Sequence, residues 1–323
     1  MAKTTGRVRE RKVILDAISR AQASAPKDDA AFVAALRAGA KAPAPGGGGG
    51  GARSIGLPVG DRHVQQGAKL DADPRYLANV RALAKRTARN ARIIGGTNVV
   101  GKDFDDCVAV GSDADFGCTG TLIAPTVVLT AGHCEALHTR IFVGNDTSKQ
   151  GRIYRVKQHV RHPQWDAQLN NDLMLLILDK PVTGVAPRKL ATATAINKAT
   201  DARVVGFGTT DTAGTKGYGN KQQTDVPIVS PSCQGKVSGK ADSNVYGCHA
   251  GKELVAGKPL LLHDTCKGDS GGPLYVANKQ GQWLLAGVTS RGTDLSTTMC
   301  GDGGTYTRVD MYRTWIIKAS KTA

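Results

Sequence analysis

Three short stretches of this 323-residue chain hold side chains that together could carry out acyl transfer. Cys266-Lys267-Gly268-Asp269-Ser270-Gly271-Gly272-Pro273-Leu274 sets a serine among glycines, which leave its hydroxyl and the neighbouring backbone amides open to a substrate. A serine hydroxyl is a poor nucleophile at neutral pH, so this reading demands a base, a group that orients the base, and donors for a developing oxyanion. Thr130-Ala131-Gly132-His133-Cys134 places a histidine at the end of an apolar run, and Asn171-Asp172-Leu173-Met174-Leu175-Leu176 places an aspartate at the head of another. Singly, each has a structural explanation: a lone histidine or buried aspartate usually serves the framework, and Gly-Ser-Gly is usually a turn. Their joint occurrence, in the order His133, Asp172, Ser270, points to nucleophilic catalysis.

The elements that must position these groups are strands. From Ile93 onward the texture is one of short apolar runs separated by Gly, Asp, Asn and Thr. Residues 121–123, 127–129, 173–178, 203–206, 283–288 and 306–309 have strand length and flanking turn signals, which predicts an all-β barrel architecture. Residues 311–320, with Trp315, Ile316 and Ile317, read as a closing C-terminal helix. Residues 1–92 differ. Ile14, Ala17, Ile18 and Ala21 fall at helical spacing, residues 28–37 form a second short helical pattern, and a third begins at Pro74 with Asp73 as its N-cap. The glycine run at 46–51 between them is a flexible linker that packs against nothing. The chain therefore divides into a basic, partly helical N-terminal extension over 1–92, read as a propeptide rather than a membrane-surface or transit element because Glu10 and Asp16 dilute its basic helices, and a folded domain over 93–323.

Charge follows the same division. The formal net charge is +16, and residues 1–92 contribute 18 Lys plus Arg against 7 Asp plus Glu. No recognised nucleic-acid motif accompanies this excess, so a solvated basic tail is the preferred reading and no specific nucleic-acid partner is expected. No window reaches the apolar length of a membrane span, and the first 40 residues contain no signal-peptide core, Val13-Ile14-Leu15 being the longest aliphatic run there. The seven cysteines all lie beyond residue 100. Their spacing alone leaves the connectivity open, and no close Cys/His cluster has zinc-ligand spacing.

The stretches around His133, Asp172 and Ser270 resemble the trypsin-like, chymotrypsin-fold serine proteases, and the resemblance covers residues 93–323. It implies two six-stranded antiparallel β-barrels with the active site in the cleft between them, and disulfides pairing Cys118 with Cys134, Cys233 with Cys248, and Cys266 with Cys300. Six paired cysteines imply an oxidising, secreted or periplasmic compartment. Cys107 is left over and reads as a buried free thiol rather than an intermolecular bridge. The resemblance further makes Ser270 the nucleophile, His133 the general base and acid, Asp172 the orienting carboxylate, and the amides of Gly268 and Ser270 the oxyanion hole. Asp264 corresponds to the base of the primary specificity pocket, where a carboxylate selects Lys or Arg. Gly292 and Gly304 match its walls, and Ser290 and Gly292 offer backbone groups to a substrate strand. Gly206-Phe207-Gly208 resembles a turn that packs near the oxyanion loop.

Arg92-Ile93-Ile94-Gly95-Gly96 resembles the activation junction of that family. Cleavage after Arg92 would free the α-amino group of Ile93 to pair with Asp269 and lock the loop of Gly268 and Ser270. An α-amine has a pKa of about 8, and an ion pair raises it, so the active form should fade at alkaline pH. An arginine at the junction and an arginine-selecting pocket make self-activation an expectation, beside activation by another protease.

The chain departs from the family pattern at several positions. Thr119 and Thr121 replace residues usually Gly and Ser, and Gly132 stands where Ala is common; these look like a bacterial branch and are expected to leave the chemistry unchanged. Arg291 occupies a place usually held by Trp, which by charge complementarity predicts a bias toward acidic substrate residues. Asn145 and Asp146 lack the paired glutamates of calcium-binding members, so neither metal nor cofactor is expected. Asn145-Asp146-Thr147 also forms a glycosylation sequon, which would matter only in a eukaryotic secretory setting. The sequence thus reads as a monomeric zymogen of a serine endopeptidase acting on proteins or peptides after Arg or Lys. Two other readings compete: a non-catalytic protease-like scaffold, disfavoured because no triad member is missing, and a protease tethered to an anionic surface by its basic N-terminal region.

Overall fold

The computed structural model describes residues 96–134, 138–211, 216–257, 263–296 and 300–322. The helices expected within 1–92, the 46–51 linker, Arg92 and Ile93 lie outside the described residues.

Six antiparallel strands close the first barrel. They are β2 (Cys107–Gly111), β3 (Cys118–Ala124), β4 (Val127–Thr130), β5 (Arg140–Val143), β6 (Arg152–Arg161) and β7 (Met174–Leu178), in the ring order β2-β3-β4-β7-β6-β5. The apolar runs Val127–Thr130 and Met174–Leu178 are buried along their whole length, because one face fills the barrel and the other meets neighbouring structure. Strand β6 is the opposite case: most of its ten residues are partly or fully exposed, with Tyr154 turned inward.

The second barrel closes from β8 (Asp201–Gly206), β9 (Gln222–Ser230), β12 (Glu253–Ala256), β13 (Pro273–Ala277), β14 (Trp283–Gly292) and β15 (Gly304–Arg308), with β8 and β9 pairing to complete the ring. Strand β1 (Thr97–Asn98) adds to β9 through Thr97 opposite Gln223, and β10 (Lys236–Val237) with β11 (Lys240–Ala241) forms a small separate hairpin. Two short helices decorate this half: α1 (Ala193–Lys198), capped by the Thr192 hydroxyl, which accepts from the Ala195 amide, and α2 (Asp242–Tyr246). Helix α3 (Arg313–Thr322) closes the described chain. Two six-stranded antiparallel barrels and a C-terminal helix are the architecture the sequence predicts. All six strand stretches read from the sequence fall on strands, and the helix read at 311–320 lies at 313–322.

Packing joins the halves into one body. Val205, Phe207, Tyr275, Leu285 and Val288 of the second barrel share a buried cluster with the interior of the first, and Tyr312, Ile316 and Ala319 bring α3 into it. The connecting segment after β7 is hydrogen-bonded to both barrels: the Arg188 amide donates to Leu122, and Leu285 exchanges bonds with Lys189 and Ala191. The Arg188 guanidinium binds the buried carboxylate of Asp106 through Nε at 3.0 Å and through Nη2, while the Tyr275 hydroxyl donates to the same carboxylate at 2.7 Å. The guanidinium also stacks on the ring of Tyr275, 4.9 Å from its centroid.

All three expected disulfides are formed, Cys118–Cys134, Cys233–Cys248 and Cys266–Cys300. Cys107 is the free cysteine, fully buried, with its thiol directed at the Val205 carbonyl 3.6 Å away. Burial raises its pKa far above the ordinary thiol range, so it packs as a small apolar side chain.

Removing one partner of a buried charge pair strands the other. Asp106→Ala leaves the Arg188 charge without its counter-ion, though Nη1 still donates to the Trp283 carbonyl, and strips the Tyr275 hydroxyl of its acceptor; it is expected to lower stability by about 3 kcal/mol, read as a fall in the urea midpoint.

Candidate active site

Strand pairing brings the histidine and the aspartate together. The last residue of β4, Thr130, lies opposite Met174, the first of β7, so the chain leaving β4 and the chain entering β7 share one rim of the barrel. His133 stands three residues past that pair and Asp172 two before it. His133 Nδ1 lies 2.7 Å from Asp172 Oδ2, and the His133 amide donates to Asp172 Oδ1 at 2.8 Å. From the second barrel, the Ser290 hydroxyl donates to Oδ2 at 2.6 Å. The Trp165 indole N–H donates to Oδ1 at 3.1 Å. Asp172 is fully buried, which alone would push its pKa up, but the charge of His133 and the hydrogen bonds from His133 and Ser290 hold it below the usual carboxylate range. The preceding residue, Asn171, has a left-handed backbone (φ 52°), and its side chain accepts from the Tyr312 hydroxyl at 3.0 Å and Lys252 Nζ at 3.2 Å. Helix α3 thereby helps fix the turn that carries the aspartate.

Ser270 comes from the second barrel, on the loop that enters β13. Gly271 donates to the Thr289 carbonyl at 2.8 Å and Thr289 returns a bond to Gly272 at 2.9 Å, which pins the serine loop beside Ser290. Across the cleft, the Thr119 amide donates to the Ser270 carbonyl at 2.8 Å. Gly268 adopts φ 98°, and a Cβ there would stand 3.0 Å from Gly208 Cα, so only glycine fits. The Thr119 hydroxyl, fully buried, donates to the Gly268 carbonyl at 2.8 Å and accepts from the Phe207 amide at 3.3 Å. Thr119 therefore ties down the loop that carries the serine, a part the sequence did not attribute to it.

Asp269 turns its carboxylate toward the segment 206–208. Its carboxylate accepts from the amides of Gly208 and Cys266, each at 2.8 Å. A Cβ at Gly206 would come 2.1 Å from Asp269 Oδ1, and one at Gly208 2.6 Å from its carboxylate carbon, so Gly206-Phe207-Gly208 is a cradle for this acid. Burial pushes its pKa up to about 6 against those two bonds.

Asp264 is likewise buried and accepts from the Tyr306 hydroxyl at 3.0 Å and the Thr265 hydroxyl at 3.3 Å. Burial outweighs these bonds and pushes its pKa up to about 7. Gly292 on β14 lies directly opposite Gly304 on β15, and Tyr306 follows Gly304 by two residues on the same strand, hence on the same face. The two glycines and Asp264 thus belong to one neighbourhood.

Arg291 differs from its expected use. Its guanidinium grips the buried Glu253 through two bonds of 2.7 and 2.8 Å and donates to the Gly247 carbonyl at 2.7 Å. His249 also binds Glu253, by its amide at 2.6 Å. Burial would raise the Glu253 pKa, but His249 and Arg291 hold it below the usual range. The positive charge of Arg291 is met inside the protein, which removes the electrostatic reason for an acidic substrate bias. Glu253 was missed in the sequence because nothing local ties it to a residue 38 positions away. Glu253→Ala should strand the largely buried guanidinium and lower stability by about 3–5 kcal/mol in chemical denaturation, with Glu253→Gln losing less.

Residues 93–316 match the family model described as Trypsin. Among curated proteins the chain is similar to a trypsin of Saccharopolyspora erythraea, 34% identical over 230 residues that cover 68% of this chain and 94% of the relative. It is similar to a trypsin of Phaedon cochleariae, 32% identical over 71% of this chain and 89% of the relative. A trypsin-like protease of Streptomyces glaucescens is 29% identical over 83% of this chain and 96% of its own.

Proposed function

The chain belongs to the trypsin family of serine endopeptidases, and from that premise we propose that it cleaves peptide bonds after Arg and Lys through Ser270, His133 and Asp172, once released by cleavage after Arg92. The observation that carries this reading is the 2.7 Å contact of His133 Nδ1 with a buried, ionised Asp172. With Nδ1–H donated to the aspartate, Nε2 is the nitrogen left to take a proton.

Ser270 Oγ attacks the substrate carbonyl carbon while its proton passes to His133 Nε2. The carbonyl oxygen becomes an oxyanion that accepts from the Gly268 and Ser270 amides, a role that requires the left-handed backbone of Gly268. The imidazolium, stabilised by Asp172, then gives its proton to the leaving amine as the C–N bond breaks and the acyl ester forms. Water repeats the sequence in reverse roles, with His133 taking its proton and returning one to Ser270 Oγ. Asp172 remains ionised throughout.

Selection at the scissile bond rests on Asp264. Among the described residues the donors to this buried carboxylate are a tyrosine and a threonine hydroxyl with backbone amides, all neutral, and a Lys or Arg side chain would supply a countercharge. Gly292 and Gly304, without side chains, would leave the approach open, and the backbone of Ser290 and Gly292 would pair with the substrate strand. Activation follows the same logic at Asp269, whose hydrogen-bond donors among the described residues are two neutral amides. The α-ammonium of Ile93 would pair with it and fix the Gly268–Ser270 loop. We assign residues 1–92 as the propeptide, the partners as protein and peptide substrates, and the compartment as extracytoplasmic, in keeping with three disulfides.

N-terminal sequencing of the incubated protein should give a chain starting at Ile93 that cleaves peptides after Arg and Lys but not after Phe or Glu; a different start, or cleavage after Phe, refutes the assignment. Ser270→Ala should remain uncleaved at Arg92 if activation is autocatalytic, whereas processing at the wild-type rate in the same preparation would require a second protease.

The pocket acid also sets a pH dependence. Asp264 has a raised pKa of about 7 when empty, so it is protonated as pH falls through 7 and loses its attraction for a cation. The inhibition constant of benzamidine, an arylamidinium, should therefore rise by up to about tenfold per pH unit below 7. In Asp264→Asn binding should be weak and nearly flat with pH.

A further inference from the structure

An ionised carboxylate offers about four acceptor sites, two on each oxygen. At Asp172 three of the donors are the His133 amide, His133 Nδ1 and the Ser290 hydroxyl, the last two both on Oδ2. The fourth is the indole N–H of Trp165, which reaches Oδ1 at 3.1 Å from the turn after β6. The indole is itself held from several sides. The Trp165 amide donates to the His162 carbonyl at 2.9 Å, and the Arg161 guanidinium lies 4.3 Å from the ring centroid.

Gly132, immediately before His133, belongs to the same arrangement. A Cβ on Gly132 would stand 2.5 Å from Trp165 Cδ1 and 2.9 Å from Nε1. A side chain at 132 would force the ring to shift, so glycine at 132 and tryptophan at 165 are steric complements: the ring fills the space that the missing methyl leaves.

We propose that Trp165 is a positioning residue for the reaction, whose indole N–H completes the acceptor shell of Asp172, and that Gly132 is glycine to admit it. The inference rests on the triad roles given under Proposed function. Its physical content is a division of negative charge. Each neutral donor on Asp172 draws charge away from Oδ2 and fixes the plane of the carboxylate, so the imidazole is oriented without being bound too tightly as imidazolium. Losing the indole bond leaves more charge on the carboxylate, which stabilises protonated His133 and makes it a reluctant acid for the leaving amine. Charged and titratable groups around the pair are Asp172 itself, Arg161 over the indole, Arg291 beside Ser290 at 3.3 Å, Lys252 on Asn171, and His138 and Tyr312 on the flanks. None of these is changed by the variants below.

Trp165→Phe keeps an aromatic ring and removes only the donor. In mature enzyme labelled with nitrogen-15 histidine, the His133 resonances, assigned by their loss in His133→Ala, should titrate about half a pH unit higher than in wild type. At saturating peptide substrate kcat should fall by about three- to tenfold with KM little changed. Gly132→Ala should displace the indole and move the His133 titration in the same direction, and in a Trp165→Ala background, where space is restored, the same methyl should have much less effect. An unmoved His133 titration in Trp165→Phe and Gly132→Ala, or a Gly132→Ala effect undiminished in Trp165→Ala, overturns the proposal. Measuring Ser270→Ala alongside separates the two readings: residual activity at the wild-type level there refutes the triad assignment, whereas an inactive Ser270→Ala with unmoved His133 refutes the role of Trp165 alone.

Discussion

Asp172 is wholly removed from water, and an ionised carboxylate in that position is stable only when donors replace the solvent it has lost. Much of the molecule near the cleft is organised by that requirement. Strands β4 and β7 must pair so that His133 arrives with both its amide and its ring, β14 must present Ser290, and the turn after β6 must deliver Trp165. The left-handed Asn171, gripped by Tyr312 and Lys252, then holds the aspartate in register with them. A single shifted strand would leave a lone pair unmet in the interior, at a cost comparable to a large fraction of the stability of a domain.

The other two buried acids, Asp264 and Asp269, carry the same functional group under a looser shell. Two backbone amides serve Asp269, while hydroxyls and backbone amides serve Asp264, and in neither case do they outweigh burial; both pKa values are raised where that of Asp172 is lowered. The difference lies in the donors and in the adjacent imidazole, not in depth. Asp172 is satisfied by the protein and so acts as a constant. The donors that the described residues give the other two are neutral, so a cation brought to either would find an acceptor that burial has left under-served.

Much of this was legible in the sequence, and the parts that were not share a physical cause. The strands that surround the site were readable because they are buried on both faces and so appear as unbroken apolar runs, as in Leu173-Met174-Leu175-Leu176. Strand β6 was not, since Arg152, Arg155 and Lys157 face outward and leave a pattern dominated by charge rather than by clean alternation. Glycines next to Ser270 announced a loop, but the reason for Gly206 and Gly208 becomes visible only with the Asp269 carboxylate between them. Gly132 and Thr119 looked like neutral departures from a family pattern because their meaning lies in residues far along the chain, Trp165 for one and Gly268 for the other. The same holds for Arg291, whose partner Glu253 absorbs the charge that the sequence alone assigned to the substrate.

The histidine and aspartate belong to the first barrel and the serine to the second, and the bonds from Thr119 to the serine loop and from Ser290 to Asp172 are stitches across the seam between them. Each barrel closes on its own strands, and the buried cluster they share, together with these bonds, sets how one lies against the other. His133 and Asp172 are carried by one barrel and Ser270 by the other, so their mutual placement depends on how the two barrels meet. Tolerance is therefore set along that seam and not in the barrel walls: a molecule can keep every strand and still lose the alignment of these three side chains.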